Sequence, residues 1–360
     1  MSDAAVLKHC PADFLVRENL VVPLVERPDA SYHYLLLRKS GYTTMEAVRV
    51  VAGKLGLPTQ EVTYGGLKDE DGITEQLVGV PLGAVSPDPD GAGWGLTEDA
   101  DRWLHLGHYG YGTEPLRIGG LEGNGFRIVL RNLDAGQAGR LAQLRKVNLL
   151  FVNYYDTQRF GVPGGPKRTH LVGAAMLAGQ WDLARSELAG LRAPESEMAA
   201  AWRGPARELF AGLDPRTASF YLAAHASHRW NADVRELVTQ VCPGEWFDVE
   251  VDGLAYRYLR YAESAVRVLG AARELPYQKY TYEGGQPVSR SSMRPTVVQT
   301  MVSIGPDEPD ERIPGRFRVR LSFFLPSGCY ATAAVRQLTA LTTVPRRRGG
   351  GMRPDGEGDE

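Results

Sequence analysis

Alternating apolar and polar residues predict three strands of a central sheet. Residues 33–38 form a short apolar run that is typical of a buried strand. Residues 126–131 alternate, with Phe126 and Ile128 on the same side, and residues 317–325 repeat this alternation over a longer stretch. Strands are therefore expected near both ends of the chain.

A helical pattern follows each of these three strands. Thr43 is suited to cap a helix, and Glu46 occupies the capping-box position three residues later. This helix should end near Gly56, and further helices are predicted over residues 137–150 and 331–341. The mixture of strands and helices predicts an α/β (α+β) body.

The middle of the chain, residues 162–297, has a different pattern. A loop over 162–168 is followed by three helical stretches and two strand-like pieces, at 171–191, 195–210, 216–240, 246–251 and 256–260. This order predicts a mostly helical module inserted into the body. The expected domains are thus residues 1–161 with 298–344, the insertion at 162–297, and a disordered tail at 345–360.

Composition narrows the class of protein. The 360 residues carry 41 Lys and Arg against 43 Asp and Glu, so no general attraction to nucleic acid is expected. Three widely spaced cysteines predict neither a disulfide framework nor a zinc site made of cysteines alone. We expect a cytoplasmic protein, because no apolar run reaches the roughly 18 residues of a membrane helix and the first residues lack a secretory signal.

Residues 64–76 (YGGLKDEDGITEQ) carry the strongest chemical signal. The glycine pair is not part of a phosphate-binding GxxxxGK[ST] loop. Asp69 and Asp71 could form a glycosidase pair, but such a pair must face each other across a sugar cleft, and the sequence offers no matching motif for it. Asp69 alone, held by a glycine-shaped backbone, can serve as a nucleophile. An acidic turn without catalytic function is the structural alternative.

The order Gly66-Leu67-Lys68-Asp69, then Thr74 and Gln76, resembles the signature of the TruD family of tRNA pseudouridine synthases. Five further segments resemble motifs of that family in the same order. They are Lys8, Asp13, Phe14, Val16 and Glu18; Arg38, Lys39, Gly41, Thr43 and Thr44; residues 123–126 (GNGF); residues 153–161 (NYYDTQRFG); and residues 323–332 (FFLPSGCYAT) with Arg336. The six motifs span residues 8–336.

This resemblance implies a fold and a reaction. The fold would be a pseudouridine synthase fold with a mixed, mainly antiparallel sheet and an inserted TRUD-type domain. The reaction would isomerise a uridine of tRNA, expected at position 13, to pseudouridine. Because no atoms are lost and no redox change occurs, no cofactor and no metal is expected. The expected partner is tRNA, with no membrane, no obligatory protein partner and a monomeric state.

The resemblance also assigns roles to residues. Asp69 would be the nucleophile, and Lys8 a nearby cation that lowers its pKa and directs its carboxylate. On its own, Lys8 would be an exposed lysine. Asn124 would bond the edge of the flipped uracil, although a turn asparagine before a strand is the alternative.

Three aromatic residues and three polar residues complete the expected binding site. Phe14, Phe126 and Phe323 would stack on the uracil, with ordinary core packing as the alternative. Gln76, Arg159 and Lys68 would also bind RNA, and Arg159 could instead hold its own turn together. His225 and His228 have a metal-ligand spacing without a third ligand, so a structural role is expected for both.

The sequence departs from the family pattern at a few positions. Glu70 and Asp71 stand where a basic residue is usual, Asp156 replaces a glycine, and Gln337 replaces a glutamate. The acidic pair makes the rim of the expected site more acidic. A catalytically silent RNA-binding or tRNA-folding module of the same fold is the alternative function.

Overall fold

The computed structural model describes residues 5–68, 70–84, 93–99, 102–161 and 165–343. Its strands are β1 (Phe14–Leu20), β2 (Tyr32–Ser40), β3 (Thr63–Tyr64), β4 (Ile73–Pro81), β5 (Trp94–Glu98), β6 (Trp103–Gly112), β7 (Leu121–Leu133), β8 (Lys146–Val152), β9 (Trp246–Val251), β10 (Leu254–Leu259), β11 (Glu274–Glu283), β12 (Gln286–Pro295), β13 (Val297–Pro309) and β14 (Phe317–Pro326). Its α-helices are α1 (Thr44–Leu55), α2 (Ala135–Leu144), α3 (Thr169–Leu177), α4 (Trp181–Ala189), α5 (Ser196–Ala201), α6 (Ala206–Ala211), α7 (Pro215–Val241), α8 (Ala262–Ala271) and α9 (Ala331–Thr343).

Ten of these strands form one sheet. Its order is β5-β6-β2-β4-β1-β7-β14-β13-β8, with β3 paired to β4. Only the pairing of β1 with β4 is parallel in the described sheet. Strands from the beginning and the end of the chain meet at β7 and β14. The predicted mixed, mainly antiparallel sheet is therefore confirmed.

Helices α1, α2 and α9 pack against the sheet. α1 lies over β2 and β4, where Leu35, Leu37 and Val78 form its core. α2 and α9 lie over β7, β14 and β13 in a second core. The predicted start of α1 is confirmed, since the Glu46 N–H donates to the Thr43 side chain and Glu46 bonds back to the Thr43 N–H.

The predicted helix over residues 137–150 is wrong in its second half. α2 ends at Leu144, Arg145 adopts a φ of +50°, and the next residues form β8. Val147, Leu149 and Phe151 alternate toward the core, and β8 pairs with the distant β13. A long-range partner therefore overrides the local helical pattern.

Two predicted helices in the middle of the chain are each divided in two. The stretch 171–191 becomes α3 and α4, separated near Gly179, whose φ of +69° is unfavourable for other residues. The stretch 195–210 becomes α5 and α6, interrupted before Pro205, which cannot donate a helical hydrogen bond. The predicted strands at 246–251 and 256–260 are confirmed, whereas α8 and the β11–β12 hairpin were not predicted. Within the described ranges, no helix is long and apolar enough to cross a membrane.

Candidate active site

A cleft of about 410 Å³ opens over the middle of the sheet. Strands β1, β4 and β7 form its floor, because Val16 lies beside Thr74 on one side and beside Phe126 on the other. The loop 65–68 forms one wall, and the turn that leads into α9, residues 327–332, forms another.

Five of the predicted site residues line this cleft, namely Lys8, Phe14, Lys68, Asn124 and Phe126. Asp69 lies outside the described residues, but its described neighbours Lys68 and Asp71 both line the cleft. Phe323, Gln76 and Arg159 do not belong to the described lining.

The aromatic residues form a connected group beneath and beside the cleft. The ring of Phe126 lies 6.0 Å from that of Phe14 and is stacked at 5.5 Å on that of Phe323. The Lys8 ammonium lies 4.5 Å from the centre of the Phe14 ring. Lys8 also has a φ of +58°, a backbone conformation that costs energy for a residue other than glycine. This conformation holds a cation beside an aromatic face of the cleft.

Buried polar residues fix the loop 65–68 from behind. Thr44 Oγ1 accepts a hydrogen bond from the Lys68 N–H (2.8 Å) and donates to Gln76 Oε1 (2.9 Å). Gln76 Nε2 in turn donates to the Gly66 carbonyl (3.2 Å). Gln76 is 1% exposed. It therefore positions the loop that leads to residue 69 and does not face the cleft.

Lys68 is held by a carboxylate that the sequence reasoning did not assign to the site. Its ammonium lies 2.9 Å from Glu18 Oε1, and these side chains are 7% and 1% exposed. Glu18 Oε2 also accepts a hydrogen bond from the Leu77 N–H (3.2 Å). A Cβ at Gly66 would lie 2.9 Å from Glu18 Oε1, so a larger residue there would force this carboxylate to shift. The positive charge of Lys68 is thus paired with Glu18 within the protein.

Three buried polar atoms of cleft-lining residues lack a hydrogen-bond partner among the described residues. They are Thr74 Oγ1, Asn124 Oδ1 and Thr332 Oγ1. Buried polar atoms are usually paired, and each exception requires an explanation. A polar ligand in the cleft would supply hydrogen-bonding groups to this part of the protein.

The cleft also contains a thiol, but its protonation state argues against catalysis. Burial raises the pKa of Cys329 to about 11. The thiol is therefore protonated at neutral pH and is a poor nucleophile. No group of three or more potential metal ligands occurs in the described part of the chain.

Arg159 links two elements beside the cleft. Its Nε donates to Ser227 Oγ (3.1 Å), which joins the turn Thr157–Phe160 to α7. Its neighbour Gln158 lines the cleft. The described contacts of Arg159 therefore fit the structural alternative better than a phosphate contact.

Two departures from the family pattern have structural partners. Asp156 forms an ion pair with Arg336. The Gln337 amide accepts a hydrogen bond from the Leu259 N–H (3.2 Å) and donates to the Leu259 carbonyl (2.7 Å). An amide provides both a donor and an acceptor, whereas a carboxylate only accepts. Gln337 thus joins α9 to β10.

His228 stacks on His170, with ring centres 4.2 Å apart. Burial lowers the pKa of both His228 and His225. A structural role therefore fits His225 and His228 better than metal binding does.

Comparison with known proteins gives the family. The family model described as tRNA pseudouridine synthase D (TruD) matches residues 4–231. The chain is 31% identical to the tRNA pseudouridine synthase D of Stutzerimonas stutzeri, over 94% of this chain and 93% of that protein. It is 36% identical to the Geobacter sulfurreducens protein of the same name, over 49% of this chain and 40% of that protein.

A solved structure has the same fold. The crystal structure of the putative tRNA pseudouridine synthase D from Methanosarcina mazei matches with a TM-score of 0.59 at 17% identity, over 93% of this chain and 94% of that chain. The predicted fold class is therefore confirmed. The family match and the near full-length relative show that this chain belongs to the tRNA pseudouridine synthase D family of isomerases.

Proposed function

We propose that this protein isomerises a uridine of tRNA, at position 13, to pseudouridine, with the Asp69 carboxylate as nucleophile. The observation that carries the proposal is the cleft, where family motif residues from distant parts of the chain meet. Lys8, Lys68, Asn124 and Phe126 belong to three of those motifs. Lys68 and Asp71 lie on the two sides of position 69, which supports a nucleophile at this cleft.

The proposed reaction rearranges one base within the cleft. The target uridine leaves its stack, and the carboxylate assists cleavage of the glycosidic C–N bond, either by attack at C1′ or through a glycal. The uracil turns, its C5 bonds to C1′, any bond between C1′ and the carboxylate breaks, the C5 hydrogen leaves as a proton, and N1 gains a proton. The product is therefore an isomer of the substrate, with one hydrogen exchanged with solvent.

The described side chains suit these steps. The rings of Phe14 and Phe126 offer faces that offset the stacking lost when the base flips. Asn124 Oδ1, which has no hydrogen-bond partner in the described structure, can accept the N3–H of uracil. Lys8 brings a positive charge to the cleft, which favours the ionised form of a neighbouring carboxylate.

Binding of tRNA should depend on the salt concentration. Arginines around the cleft and in the middle of the chain would contact phosphates, so affinity should fall as salt rises. We propose a cytoplasmic location, where tRNA is available, and a monomer without an obligatory protein partner.

Tritium release from RNA labelled at uracil C5 tests the proposal. We expect the wild-type protein to release tritium and Asp69→Asn to lose at least about a thousandfold in rate, with RNA affinity retained. Loss of a nucleophile explains this pattern, because an amide cannot replace the carboxylate.

Two further variants make the test specific. Asp252→Asn, on an exposed turn, makes the same chemical change and should retain wild-type activity. Asp71→Asn distinguishes a mechanism with a single nucleophile from one with a carboxylate pair. Equal losses of rate from the changes at positions 69 and 71 would favour the pair. Continued release by Asp69→Asn would remove this residue from its role, and RNA binding without release by wild type would identify a silent module.

A further inference from the structure

The turn before α9 places the start of this helix at the cleft. Ser327 is anchored to β7, because its N–H donates to the Glu122 carbonyl (3.1 Å). Gly328 follows with a φ of +81°, which only glycine adopts readily. Residues 327–332 then form one wall of the cleft. The first turn of α9 is therefore part of the site.

The N-terminus of α9 favours a negative charge. The N–H groups of the first turn of a helix have no acceptor within the helix, and the helix dipole makes this end positive. Here the Ala334 N–H donates to the Tyr330 carbonyl, so the preceding N–H groups point out of the helix end.

A second observation at the same place indicates a ligand. Thr332 lines the cleft and is 9% exposed, and its Oγ1 has no hydrogen-bond partner within the described ranges. A threonine hydroxyl can donate to a phosphate oxygen. The helix end and this hydroxyl therefore favour the same kind of ligand.

Arg294 of β12 brings a fixed positive charge to this turn. Its guanidinium lies 4.1 Å from the centre of the Tyr155 ring and 5.4 Å from that of Trp230. One terminal nitrogen donates to both Asn153 Oδ1 and the Gly328 carbonyl, each at 3.0 Å. These contacts hold the side chain in place without neutralising its charge.

The remaining nitrogens of Arg294 make no hydrogen bond to the described residues. Nε is buried without a hydrogen-bond partner in the described structure. The other terminal nitrogen lies 3.5 Å from the point where a Cβ of Gly328 would stand, and apart from residues 327–329 themselves no other described atom lies within 4 Å of that point. Glycine thus leaves space between the turn and the guanidinium. Arginine is the side chain best suited to bind phosphate through two parallel hydrogen bonds.

We propose that Arg294, Thr332 and the first-turn N–H groups of α9 bind the RNA phosphate that adjoins the target uridine. This inference rests on the proposed function, since it requires a nucleotide in the cleft. A phosphodiester fits better than a free nucleotide, because a flipped nucleotide stays attached to its chain and carries a phosphate on each side. The site would hold the backbone while the base rotates.

The test measures RNA affinity by fluorescence anisotropy with two kinds of RNA. One is the intact substrate, and the other carries a single neutral methylphosphonate linkage on the 5′ or the 3′ side of the target uridine. For the wild-type protein, we expect one neutral linkage to raise Kd about ten- to a hundredfold, the range for charge-assisted hydrogen bonds. Arg294→Gln should weaken binding of intact RNA to a similar extent and should show no further loss with that neutral linkage.

Matched variants distinguish a phosphate contact from a structural role. Arg290→Gln changes an exposed arginine of the same strand that pairs with Glu283, and it should behave as wild type. Arg294→Lys keeps the charge and should restore part of the lost affinity. If Arg294→Gln does not fold, Thr332→Val replaces it in the same comparison.

Two results would overturn the inference. Independent, additive losses from the variant and the neutral linkage would assign Arg294 a purely structural role. Wild-type affinity unchanged by either neutral linkage would show that no phosphate binds there. Because the assay measures binding, either result leaves the proposed isomerisation to be judged separately by tritium release.

Discussion

Strand β7 contributes one residue to each of two polar clusters, which differ in how completely their atoms are paired. The arginine cluster consists of Arg131 and the acidic residues Asp13, Asp310 and Glu311. Arg131 is 3% exposed, and its guanidinium donates to Asp13 at 2.8 and 2.9 Å, to Asp310 at 2.6 Å and to Glu311 at 3.0 Å.

The second cluster, here called the cleft trio, lies toward the other end of β7. It consists of Thr74, Asn124 and Thr332, each with a buried polar atom that lacks a hydrogen-bond partner in the described structure. Arg131 and Asn124 are seven residues apart on one strand, yet Arg131 donates hydrogen bonds to three carboxylates, whereas Asn124 Oδ1 has no partner among the described residues.

This difference in pairing distinguishes residues that stabilise the fold from residues that are suited to bind a ligand. A buried charge is tolerated when its partners satisfy it, and removing a partner is costly. An unpaired buried hydroxyl or amide gives no such stability, and its retention requires another reason. We therefore expect changes in the arginine cluster to affect stability and changes in the cleft trio to affect RNA recognition.

The largest expected effect on stability follows from Arg131→Met. This change leaves the Asp13 and Asp310 carboxylates buried without their cation, so it should lower the free energy of unfolding by about 3–5 kcal/mol. Urea denaturation measures this loss. Arg127→Met, at an exposed position of the same strand, is the control and should change stability little. A loss below about 1 kcal/mol for Arg131→Met would contradict the structural role of the cluster.

The arginine cluster should also make stability depend on pH. The hydrogen bond from Arg131 lowers the pKa of Glu311 from 4.5 to about 2. Burial alone would raise the pKa of Asp310, but hydrogen bonds from the Arg312 N–H and from Arg131 lower it. Carboxylates with a lowered pKa stabilise the folded state above their ordinary pKa, and this contribution is lost as the pH falls.

We therefore expect the wild-type free energy of unfolding to decrease from about pH 4.5 toward pH 2. Arg131→Met should show a shallower decrease, whereas Arg127→Met should keep the wild-type slope. Urea midpoints across this pH range provide the measurement. Equal slopes for all three proteins would show that Arg131 does not control these carboxylates.

The smallest expected change in stability comes from Thr332→Val. Removal of an unpaired buried hydroxyl should leave the free energy of unfolding within about 1 kcal/mol of wild type, and RNA affinity should fall about three- to tenfold. Thr339→Val, on the same helix, removes a hydroxyl that bonds to the Val335 carbonyl and should leave RNA affinity unchanged. A stability loss without an affinity loss in Thr332→Val would reverse the distinction between the two clusters.

Local patterns predicted much of the fold. The capping box at Thr43 and the alternation of 126–131 and 317–325 give α1, β7 and β14 with their correct faces. Prediction was wrong over 146–150, because those residues pair with β13, about 150 positions later in the chain. Apolar residues alone do not distinguish a helix from a strand whose partner is distant.

The site was also predicted only in part, because local sequence does not show which distant residues meet. The family motifs identified Lys8, Asn124 and Phe126, all of which line the cleft. The motifs also contained Glu18 and Thr44, but spacing did not show that these residues hold Lys68 and its loop. Arg294 belongs to no motif, and only the tertiary structure shows that it lies beside Gly328. The site assignments for Asp69 and Lys8 stay predictions until tested.

The sequence by itself determined the family, the order of the family motifs and the elements with a strong local period. The tertiary structure decided which charges pair, which polar atoms stay unpaired and that Arg294 lies against the turn that forms one wall of the cleft. Arg131 and Asp310 are 179 residues apart, and Gln76 points toward Gly66 because of contacts with Thr44. Periodicity records which side of an element is buried, whereas pairing depends on the register between elements, which local sequence does not encode.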